Sequence, residues 1–361
     1  MDYYQLISLE NLFQAWIEFR VGKRKRRDVQ IFERNLEDNL FDLYEKLKNK
    51  EYRHGQYQEF FVHDPKLRHI HKAEVEDRIV HHLLYKYLYK VFDKTFLDHT
   101  YSCRLGKGTH KGVDKFEQFT RKISENYTRP CFALKLDIKK FFASVDHKTL
   151  MDLLKRKVSD QDILWLLGEI IESFCSCHPG GERSEPIGSY LNKDSIGRPT
   201  ASLQNDKSGR GIPLGNLTSQ VFANIYMNEL DQFMKHQLKV KYYLRYADDF
   251  LILSTRFNDL NHLIKPTEKF LMDKLKLELH PKKIILRKLE WGVDFLGYVT
   301  LPYYRLPRIK TKRRVFKKLK AKLSSENFDQ SLQSYLGYLK HASSFKITQQ
   351  LKNQVWFWRN N

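Results

Sequence analysis

The clearest pattern in the chain is a pair of apolar runs separated by two acids. Residues 242–247 are mostly strand-forming, Asp248 and Asp249 follow, and residues 250–253 are apolar again. This order predicts a strand, a tight turn and a second strand, with both carboxylates at the tip. Adjacent carboxylates repel each other and resist burial, and a divalent cation removes that cost. The pattern therefore predicts a metal-binding hairpin.

A second strand that contains an acid is predicted over residues 132–142. This apolar strand ends in an acid, Asp137, and a helix is expected after Asp146. A single aspartate at the end of a strand is commonly a helix cap. Here the 242–253 hairpin presents two more carboxylates. Three carboxylates on two strands suit a site for two Mg²⁺ ions.

The first part of the chain alternates between helical and strand-like patterns. Apolar residues at helical spacing predict a helical extension over 1–58. A hairpin is predicted over 59–72, with Asp64 and Pro65 at its turn and basic residues on the returning strand, and a helix follows it. Residues 178–210 are rich in Gly, Ser, Pro and Asn, so we expect an inserted surface loop there.

The second half of the chain predicts further short elements around the acidic hairpin. The segment 211–220 opens a helix that continues to residue 231. A helix and then a strand are expected over 266–286, and a short hairpin over 294–299. The remaining residues predict a small helical bundle.

The charge of the chain points to a polyanionic partner. The 64 Lys and Arg residues exceed the 43 Asp and Glu residues, which gives a net charge of +21. A folded protein this basic usually binds nucleic acid. The basic run 20–27 and the acid-free segment 305–322 favour contact with phosphates. The loop 101–110 carries glycines that allow close approach to an anion, although Walker spacing is missing.

The cysteines and the first residues predict a cytoplasmic protein. None of the four cysteines forms a CxxC pair, and Cys175-Ser176-Cys177-His178 has the form of only half a zinc site. Reduced, mostly buried thiols are therefore expected. The first residues lack the regions of a signal peptide, and no apolar run is long enough to span a bilayer. We expect no membrane contact.

Taken in order, the motifs resemble those of prokaryotic reverse transcriptases of the group II intron-like lineage. The resemblance runs from about Lys66 to the C-terminal helices. It rests on Leu-Asp at 136–137, Gly-Ile-Pro-Leu-Gly-Asn-Leu-Thr-Ser-Gln at 211–220, Tyr-Ala-Asp-Asp at 246–249, Leu-His-Pro-Lys-Lys at 279–283 and Phe-Leu-Gly-Tyr at 295–298.

This resemblance implies an α+β right-hand polymerase fold with fingers, palm and helical thumb. Fingers are expected over 59–131, and fingers and palm together over 132–300. The palm would contain an antiparallel sheet that carries the catalytic acids. A basic helical thumb is expected over 301–361.

One motif narrows the resemblance further. Most relatives have Gln-Gly at the start of the helix-opening motif and Ser-Pro at its end, whereas this chain has Leu214-Gly215 and Ser219-Gln220. That form resembles the reverse transcriptases of diversity-generating retroelements. The implied function is low-fidelity copying of a template-repeat RNA into cDNA, with errors at adenines that diversify a target gene. The alternatives are a phage-defence, CRISPR-associated, retron or group II intron enzyme, or a non-catalytic RNA-binding scaffold.

The resemblance gives each motif residue an expected role. Catalysis falls to Asp137, Asp248 and Asp249, and the metal ligands are these three with Ile138. Lys282 or Lys283 is expected to protonate the leaving pyrophosphate, and the choice stays open. The dNTP-binding residues are Lys66, Arg68, Ile138, Lys139, Lys140, Phe141, Phe142, Leu214 and Gly215. The primer grip is Phe295, Leu296, Gly297 and Tyr298. The nucleic-acid backbone is contacted by Arg308, Lys310, Lys312, Arg313, Arg314, Lys317 and Lys318.

Two of these residues carry specific expectations. Phe142 corresponds to the aromatic gate of the family, which would clash with a ribose 2′-hydroxyl and so favour dNTPs. Leu214 replaces a Gln that touches the incoming nucleotide. An aliphatic side chain cannot form that hydrogen bond, so mispairs are expected to be rejected less well.

The expected partners follow from the same resemblance. They are template RNA, the RNA/cDNA duplex, dNTPs and a small basic accessory variability protein that forms an oligomer. The expected location is the cytoplasm of a prokaryotic cell.

Overall fold

The computed structural model describes residues 1–63, 67–174 and 209–360. These residues form two compact units. Unit 1 contains Met1–Phe96, Lys140–Asn228 and Asp273–Leu277, and unit 2 contains Leu97–Lys139, Glu229–Met272 and Glu278–Asn361. The predicted loop over 178–210 lies outside the described residues except for its last two positions. Cys175 and Cys177, with the half zinc site, also lie outside them.

The elements alternate helices with short antiparallel strands. The helices are α1 (Tyr3–Leu6), α2 (Leu9–Arg20), α3 (Arg27–Arg34), α4 (Leu36–Lys48), α5 (Val75–Phe92), α6 (Thr109–Ile123), α7 (Phe141–Ser144), α8 (His147–Lys155), α9 (Gln161–Glu172), α10 (Leu217–Gln232), α11 (Phe257–Leu275), α12 (Ile309–Ala321), α13 (Phe328–Lys340) and α14 (Phe345–Asn360). The strands are β1 (Gln58–Val62), β2 (Arg68–Lys72), β3 (Phe132–Asp137), β4 (Tyr243–Tyr246), β5 (Asp249–Ser254), β6 (Ile285–Lys288), β7 (Val293–Phe295), β8 (Tyr298–Leu301) and β9 (Tyr304–Pro307).

Unit 1 combines a helical core with one exposed hairpin. Helix α2 begins after Ser8, whose side chain accepts a hydrogen bond from the Asn11 amide, and its apolar stripe buries Leu12 and Trp16. Strands β1 and β2 form a two-stranded antiparallel sheet in which Glu59 lies opposite His71. Every residue of β1 is exposed. The predicted N-terminal helices and the two paired strands of the 59–72 hairpin are therefore confirmed, whereas the turn predicted at Asp64 and Pro65 lies outside the described residues.

Unit 2 is built on a four-stranded antiparallel sheet in the order β4-β5-β3-β6. Strand β3 lies between β5 and β6, and its residues are mostly buried. Because β4 and β5 are joined by a tight turn, the acidic tip lies at one end of the sheet. The register places Asp137 directly opposite Asp249. The predicted acidic hairpin is confirmed, and so is the strand that carries Asp137.

A second sheet and three helices complete unit 2. Strands β7, β8 and β9 form an antiparallel sheet, and α12–α14 bury their own apolar cluster around Leu319 and Leu351. The hairpin predicted over 294–299 and the C-terminal helices are confirmed. Strand β9, in the segment noted only for its basic charge, was not predicted.

Three local expectations differ from the structure. The strand predicted to end in an acid does end at Asp137, but the residues after it, up to 142, are not strand: Lys140 adopts a left-handed φ of 46° before α7. Helix α11 begins at Phe257, before the predicted residue 266. Cys103 is exposed, whereas Cys131 is buried as expected for most thiols.

Within residues 1–63, 67–174 and 209–360, no helix is both long enough and apolar enough to cross a bilayer.

Candidate active site

Two of the acids, Asp248 and Asp249, lie at the turn between β4 and β5. Tyr246 lies opposite Asp249 in the register, and Ala247 and Asp248 connect the strands. Ala247 has a φ of 55°, a left-handed conformation that a non-glycine residue adopts at a cost of about 1–2 kcal/mol. Such a conformation persists only where neighbouring groups hold it.

A buried cation holds this turn in place. The side chain of Arg245 is fully buried and forms a fork with Asp231, with Nε to Oδ1 at 2.7 Å and Nη2 to Oδ2 at 2.6 Å. Its third nitrogen, Nη1, donates to the Ala247 carbonyl oxygen at 3.0 Å. The Tyr243 hydroxyl also donates to Asp231, at 2.7 Å. One guanidinium therefore links the end of α10 to the strained residue before the acids.

The three aspartates come together at the end of the sheet. Asp137 on β3 faces Asp249 on β5, and like charges directly opposite destabilise a strand pair. Burial, together with the charges of Asp137 and Asp249, raises the pKa of Asp248 to about 6. Burial also raises the pKa of Asp249. The surroundings of Asp248 and Asp249 therefore oppose the ionisation of these two carboxylates.

Two lysines offset part of this repulsion. Lys283 Nζ lies 2.6 Å from Asp137 Oδ1, and Lys135 Nζ lies 3.6 Å from Asp249 Oδ2. Both lysines belong to unit 2. The three carboxylates thus share two cations, and an unbalanced negative charge remains.

The donor set of this site fits a divalent cation. Asp249 Oδ1 is buried and has no hydrogen-bond partner, although a buried acceptor without a partner costs free energy. Carboxylate oxygens are the ligands that Mg²⁺ prefers. Asp137, Asp248 and Asp249 are therefore the residues that would hold such an ion.

The segment after Asp137 explains why only one of the two candidate lysines reaches the acids. The Asp137 carbonyl accepts from the His280 amide at 2.8 Å, and the Lys139 amide donates to the Glu278 carbonyl at 2.9 Å. Residues 281–283 then form a single tight 3₁₀ turn. Its last residue, Lys283, contacts Asp137, whereas the Lys282 amide donates to His280 Nδ1.

Most of the predicted nucleotide-binding residues of unit 1 line one cavity. Its volume is about 730 Å³, and its walls include Arg68, Lys140, Phe141, Phe142 and Leu214. Phe141 is buried and holds the Phe142 ring at an edge-to-face distance of 5.3 Å. Lys66 lies outside the described residues.

Backbone contacts fix Leu214 and Gly215 to the hairpin. The His71 amide donates to the Leu214 carbonyl at 3.0 Å. Gly215 has a φ of 119°, and a Cβ on it would lie only 2.9 Å from Ile70 Cγ2. A side chain at Gly215 would therefore be strained and would also push against β2.

The predicted primer grip is a tight turn between β7 and β8. Leu296 and Gly297 have φ values of 50° and 97°, while Phe295 and Tyr298 are buried. The Gly297 carbonyl accepts a hydrogen bond from the Tyr338 hydroxyl at 2.6 Å. Leu296 and Gly297 are half-buried, and the grip itself stays a prediction.

The predicted backbone-contacting residues lie on or just before α12. Arg308 forms an ion pair with Asp294. None of the set is buried, so the whole row is accessible at least in part; its members are Arg308, Lys310, Lys312, Arg313, Arg314, Lys317 and Lys318.

Sequence reasoning missed several residues that shape these sites. Arg245 was visible as a single charge within an apolar strand, which is a signal of a buried pair. Its partner Asp231 gave no signal, because only the fold brings the end of α10 to β4. Lys135 lies between two buried residues of β3. Its approach to Asp249 depends on the order of the strands in the sheet, which the sequence pattern did not give.

The sheet and its acids define a class of protein. An antiparallel sheet that ends in three clustered aspartates, in a mixed α and β chain, is the palm of a right-hand nucleic-acid polymerase. The model of the family described as "Reverse transcriptase (RNA-dependent DNA polymerase)" matches residues 62–300, which is more than half of the chain. The chain belongs to this reverse transcriptase family, whose members generally use divalent metal ions.

Curated relatives agree with this membership at low identity. The Group II intron-encoded protein LtrA of Lactococcus lactis subsp. cremoris is 21% identical over 296 residues, which cover 64% of this chain and 44% of the relative. Protein YkfC of Escherichia coli (strain K12) is 22% identical, with 64% of this chain and 63% of the relative covered. The putative COX1/OXI3 intron 2 protein of Saccharomyces cerevisiae is 20% identical, with 48% and 24% covered.

The chain thus spans less than two thirds of the length of each of these relatives. Among solved structures, it is similar to apo telomerase from Candida tropicalis, with a TM-score of 0.48 and 11% identity over 70% of this chain and 55% of that chain.

Proposed function

We propose that this protein is an RNA-directed DNA polymerase that extends a primer with dNTPs, using two Mg²⁺ ions held by Asp137, Asp248 and Asp249. The observation that carries the proposal is the cluster of three carboxylates at the end of the sheet, where Asp249 Oδ1 is buried without a hydrogen-bond partner. Membership of the reverse transcriptase family supports it.

The chemistry is an in-line phosphoryl transfer, in which positioning and charge neutralisation do most of the catalysis. Bound divalent ions would supply a more acidic primer 3′-hydroxyl and a neutralised triphosphate. The aspartates hold the ions, and Arg245 keeps the turn that carries two of them in place. Lys283 is assigned as the proton donor to pyrophosphate instead of Lys282, because its ammonium group lies 2.6 Å from Asp137 Oδ1.

The cavity in unit 1 is assigned to the incoming nucleotide. Arg68 supplies a guanidinium that suits bidentate contact with phosphate. Phe142, held by Phe141, is assigned to the exclusion of the ribose 2′-hydroxyl. Lys140, which lines the same cavity, is a further proposed phosphate contact. Lys66, outside the described residues, and Lys139, in unit 2, stay predicted dNTP contacts, and residues 295–298 and the α12 row are assigned to primer and duplex.

The finer proposal is a diversity-generating retroelement enzyme with low fidelity at template adenines. Leu214 supports it, because this aliphatic residue lines the same cavity as Phe142 and Arg68. A cavity wall without a hydrogen-bonding side chain at that point loses one means of rejecting mispairs. The proposed partners are a template-repeat RNA, its cDNA duplex and a basic accessory protein oligomer, in a prokaryotic cytoplasm.

Primer extension on an RNA template tests the reaction itself. Extension with dNTPs and Mg²⁺ is expected for the wild type, and Asp248→Asn should lower it by about 10³-fold or more, since several kcal/mol of charge stabilisation are removed. Asp38→Asn, an exposed change on α4, is the matched control and should keep full activity. Equal activity of wild type and Asp248→Asn would refute the assignment of the site.

Sequencing of the extension products tests the low-fidelity proposal. Leu214→Gln should reduce misincorporation opposite template adenine about fivefold, because a hydrogen bond of about 1 kcal/mol again distinguishes the correct pair. Leu214→Met preserves an apolar wall and should leave the error spectrum unchanged. An unchanged error spectrum in Leu214→Gln would contradict the low-fidelity proposal and favour a reverse transcriptase of another kind of system.

A further inference from the structure

The β1–β2 hairpin carries a second cluster of metal-ligand side chains, distinct from the three aspartates. Glu59 on β1 lies opposite His71 on β2, and Phe61 lies opposite His69. Because alternate residues of a strand share a face, these four side chains lie on the same face of the hairpin. All of them belong to unit 1.

The cluster is compact enough to hold one ion. Among residues 1–63, 67–174 and 209–360, Glu59, His69 and His71 are the one group of three or more Asp, Glu, His or Cys side chains whose ligand atoms all lie within 4.8 Å of one another. His69 Nε2 lies 3.1 Å from Glu59 Oε2, and His71 Nε2 lies 3.8 Å from Glu59 Oε1. Two ligands bound tetrahedrally at the usual zinc distances lie about 3.4 Å apart. The measured separations lie on either side of this value.

The two histidine side chains lie in a sheltered position on the hairpin. They are only 9% and 12% exposed. His71 Nδ1 is buried without a hydrogen-bond partner, and a buried polar atom without a partner costs free energy.

Aromatic rings hold both imidazoles in place. Phe61 stacks on His69 with ring centroids 4.5 Å apart, and Phe174 packs edge-on against His71 at 4.7 Å. Rings fixed in this way lose less freedom when they bind an ion, so the cluster is preorganised.

We propose that Glu59, His69 and His71 form a binding site for one divalent transition metal ion, with Zn²⁺ the best match. Two imidazoles and one carboxylate are a zinc ligand set that leaves a fourth position open. All three residues line the cavity of about 730 Å³ that also contains Arg68 and Leu214, so the open position faces that cavity. Mg²⁺ prefers oxygen ligands, so the two kinds of site select different ions.

The ion would cross-link β1 to β2. An isolated two-stranded hairpin is marginally stable in water, and every residue of β1 is exposed. A metal bridge between the strands stabilises the folded hairpin by the free energy of binding. The site thus gives rigidity to the strand that carries Arg68.

Titration of the full chain with ZnCl₂ after removal of bound metal tests the proposal. Isothermal calorimetry, with metal counted by mass spectrometry, should find one equivalent of zinc in the wild type. His69→Gln, His71→Gln and Glu59→Gln should each bind zinc at least about tenfold more weakly, since even loss of an outer-shell partner has this effect. His63→Gln, an exposed histidine of the same hairpin, is the matched control and should bind like the wild type.

A second arm separates this site from the catalytic carboxylates. Asp248→Asn should keep the one equivalent of zinc, and zinc should raise the Tm of the wild type, His63→Gln and Asp248→Asn but not that of Glu59→Gln. Glu59 is exposed, so its replacement leaves the fold intact even where a histidine variant does not fold. No stoichiometric zinc in the wild type, undiminished zinc in Glu59→Gln, or loss of zinc in Asp248→Asn would each overturn the proposal.

Discussion

The acidic turn between β4 and β5 and the ligand face of the β1–β2 hairpin are both carried by antiparallel strand pairs, yet they are stabilised differently. The acidic turn has oxygen ligands only, which repel one another, and a fully buried Arg245–Asp231 pair holds it. The hairpin face combines two imidazoles with one carboxylate on a two-stranded sheet. A site made of like charges needs an internal anchor, whereas a mixed site needs mainly the correct strand register.

Removal of the anchor should have the largest effect. Arg245→Met leaves Asp231 buried without its partner, so the free energy of unfolding should fall by about 3–5 kcal/mol in chemical denaturation. Replacing both members by apolar residues in Arg245→Met/Asp231→Leu should recover most of this loss, while polymerase activity stays low because the Ala247 carbonyl has lost its donor. Recovery of full activity in the double variant would show that the pair is not a positioning device.

The repulsion among the acids should appear as a gain in stability when one of them is neutralised. The pKa of Asp248 is about 6 in the folded protein and about 3.9 in an unfolded chain. The folded state therefore binds more protons between these values, and its stability falls as the pH rises through them. Asp248→Asn in EDTA should be more stable than the wild type by about 2–3 kcal/mol at pH 7.5.

The same comparison at pH 4.5 is the control for this effect. Asp248 is then protonated in the folded protein but still mostly ionised in the unfolded chain, so the difference between the two proteins should fall to about 1 kcal/mol. If Asp248→Asn were less stable than the wild type at pH 7.5, the carboxylate would be a stabilising hydrogen-bond acceptor and not a source of repulsion.

The hairpin should respond to a smaller change at its backbone contact. Gly215→Ala combines an unfavourable φ with a Cβ only 2.9 Å from Ile70 Cγ2, so we expect a loss of about 1–2 kcal/mol. Amide hydrogen exchange of β2 should quicken, and the KM for dNTPs should rise. Gly108→Ala is the matched control, because its φ of 121° is close to that of Gly215 but no atom lies within 4 Å of the added Cβ. Equal losses in both variants would assign the whole effect to φ.

The sequence predicted those features that depend on local patterns. Two acids between apolar runs indicate a turn between strands. The apolar run that contains Asp137 predicted the second strand of the acidic site. The sequence pattern could not distinguish Lys282 from Lys283, because consecutive residues of a tight turn point in different directions. The structure shows that Lys283 contacts Asp137.

The remaining features depend on contacts between distant segments. Arg245 and Asp231 meet because α10 ends beside β4, which no periodicity reveals. The Glu59, His69 and His71 cluster requires the register of the hairpin, since a shift by one residue would send the histidines to the opposite face. Strand β9 was not predicted, because its segment was interpreted only as a basic surface that contacts phosphates.

The position of β3 in the middle of its sheet also determines when the cluster of aspartates can form during synthesis. Its neighbours β5 and β6 are both encoded more than a hundred residues later. At about 5–20 residues per second, a ribosome needs several seconds or more to add them after β3 has emerged. During that interval Asp137 has no opposing strand, so the nascent chain has its basic N-terminal segments but not yet its acidic site.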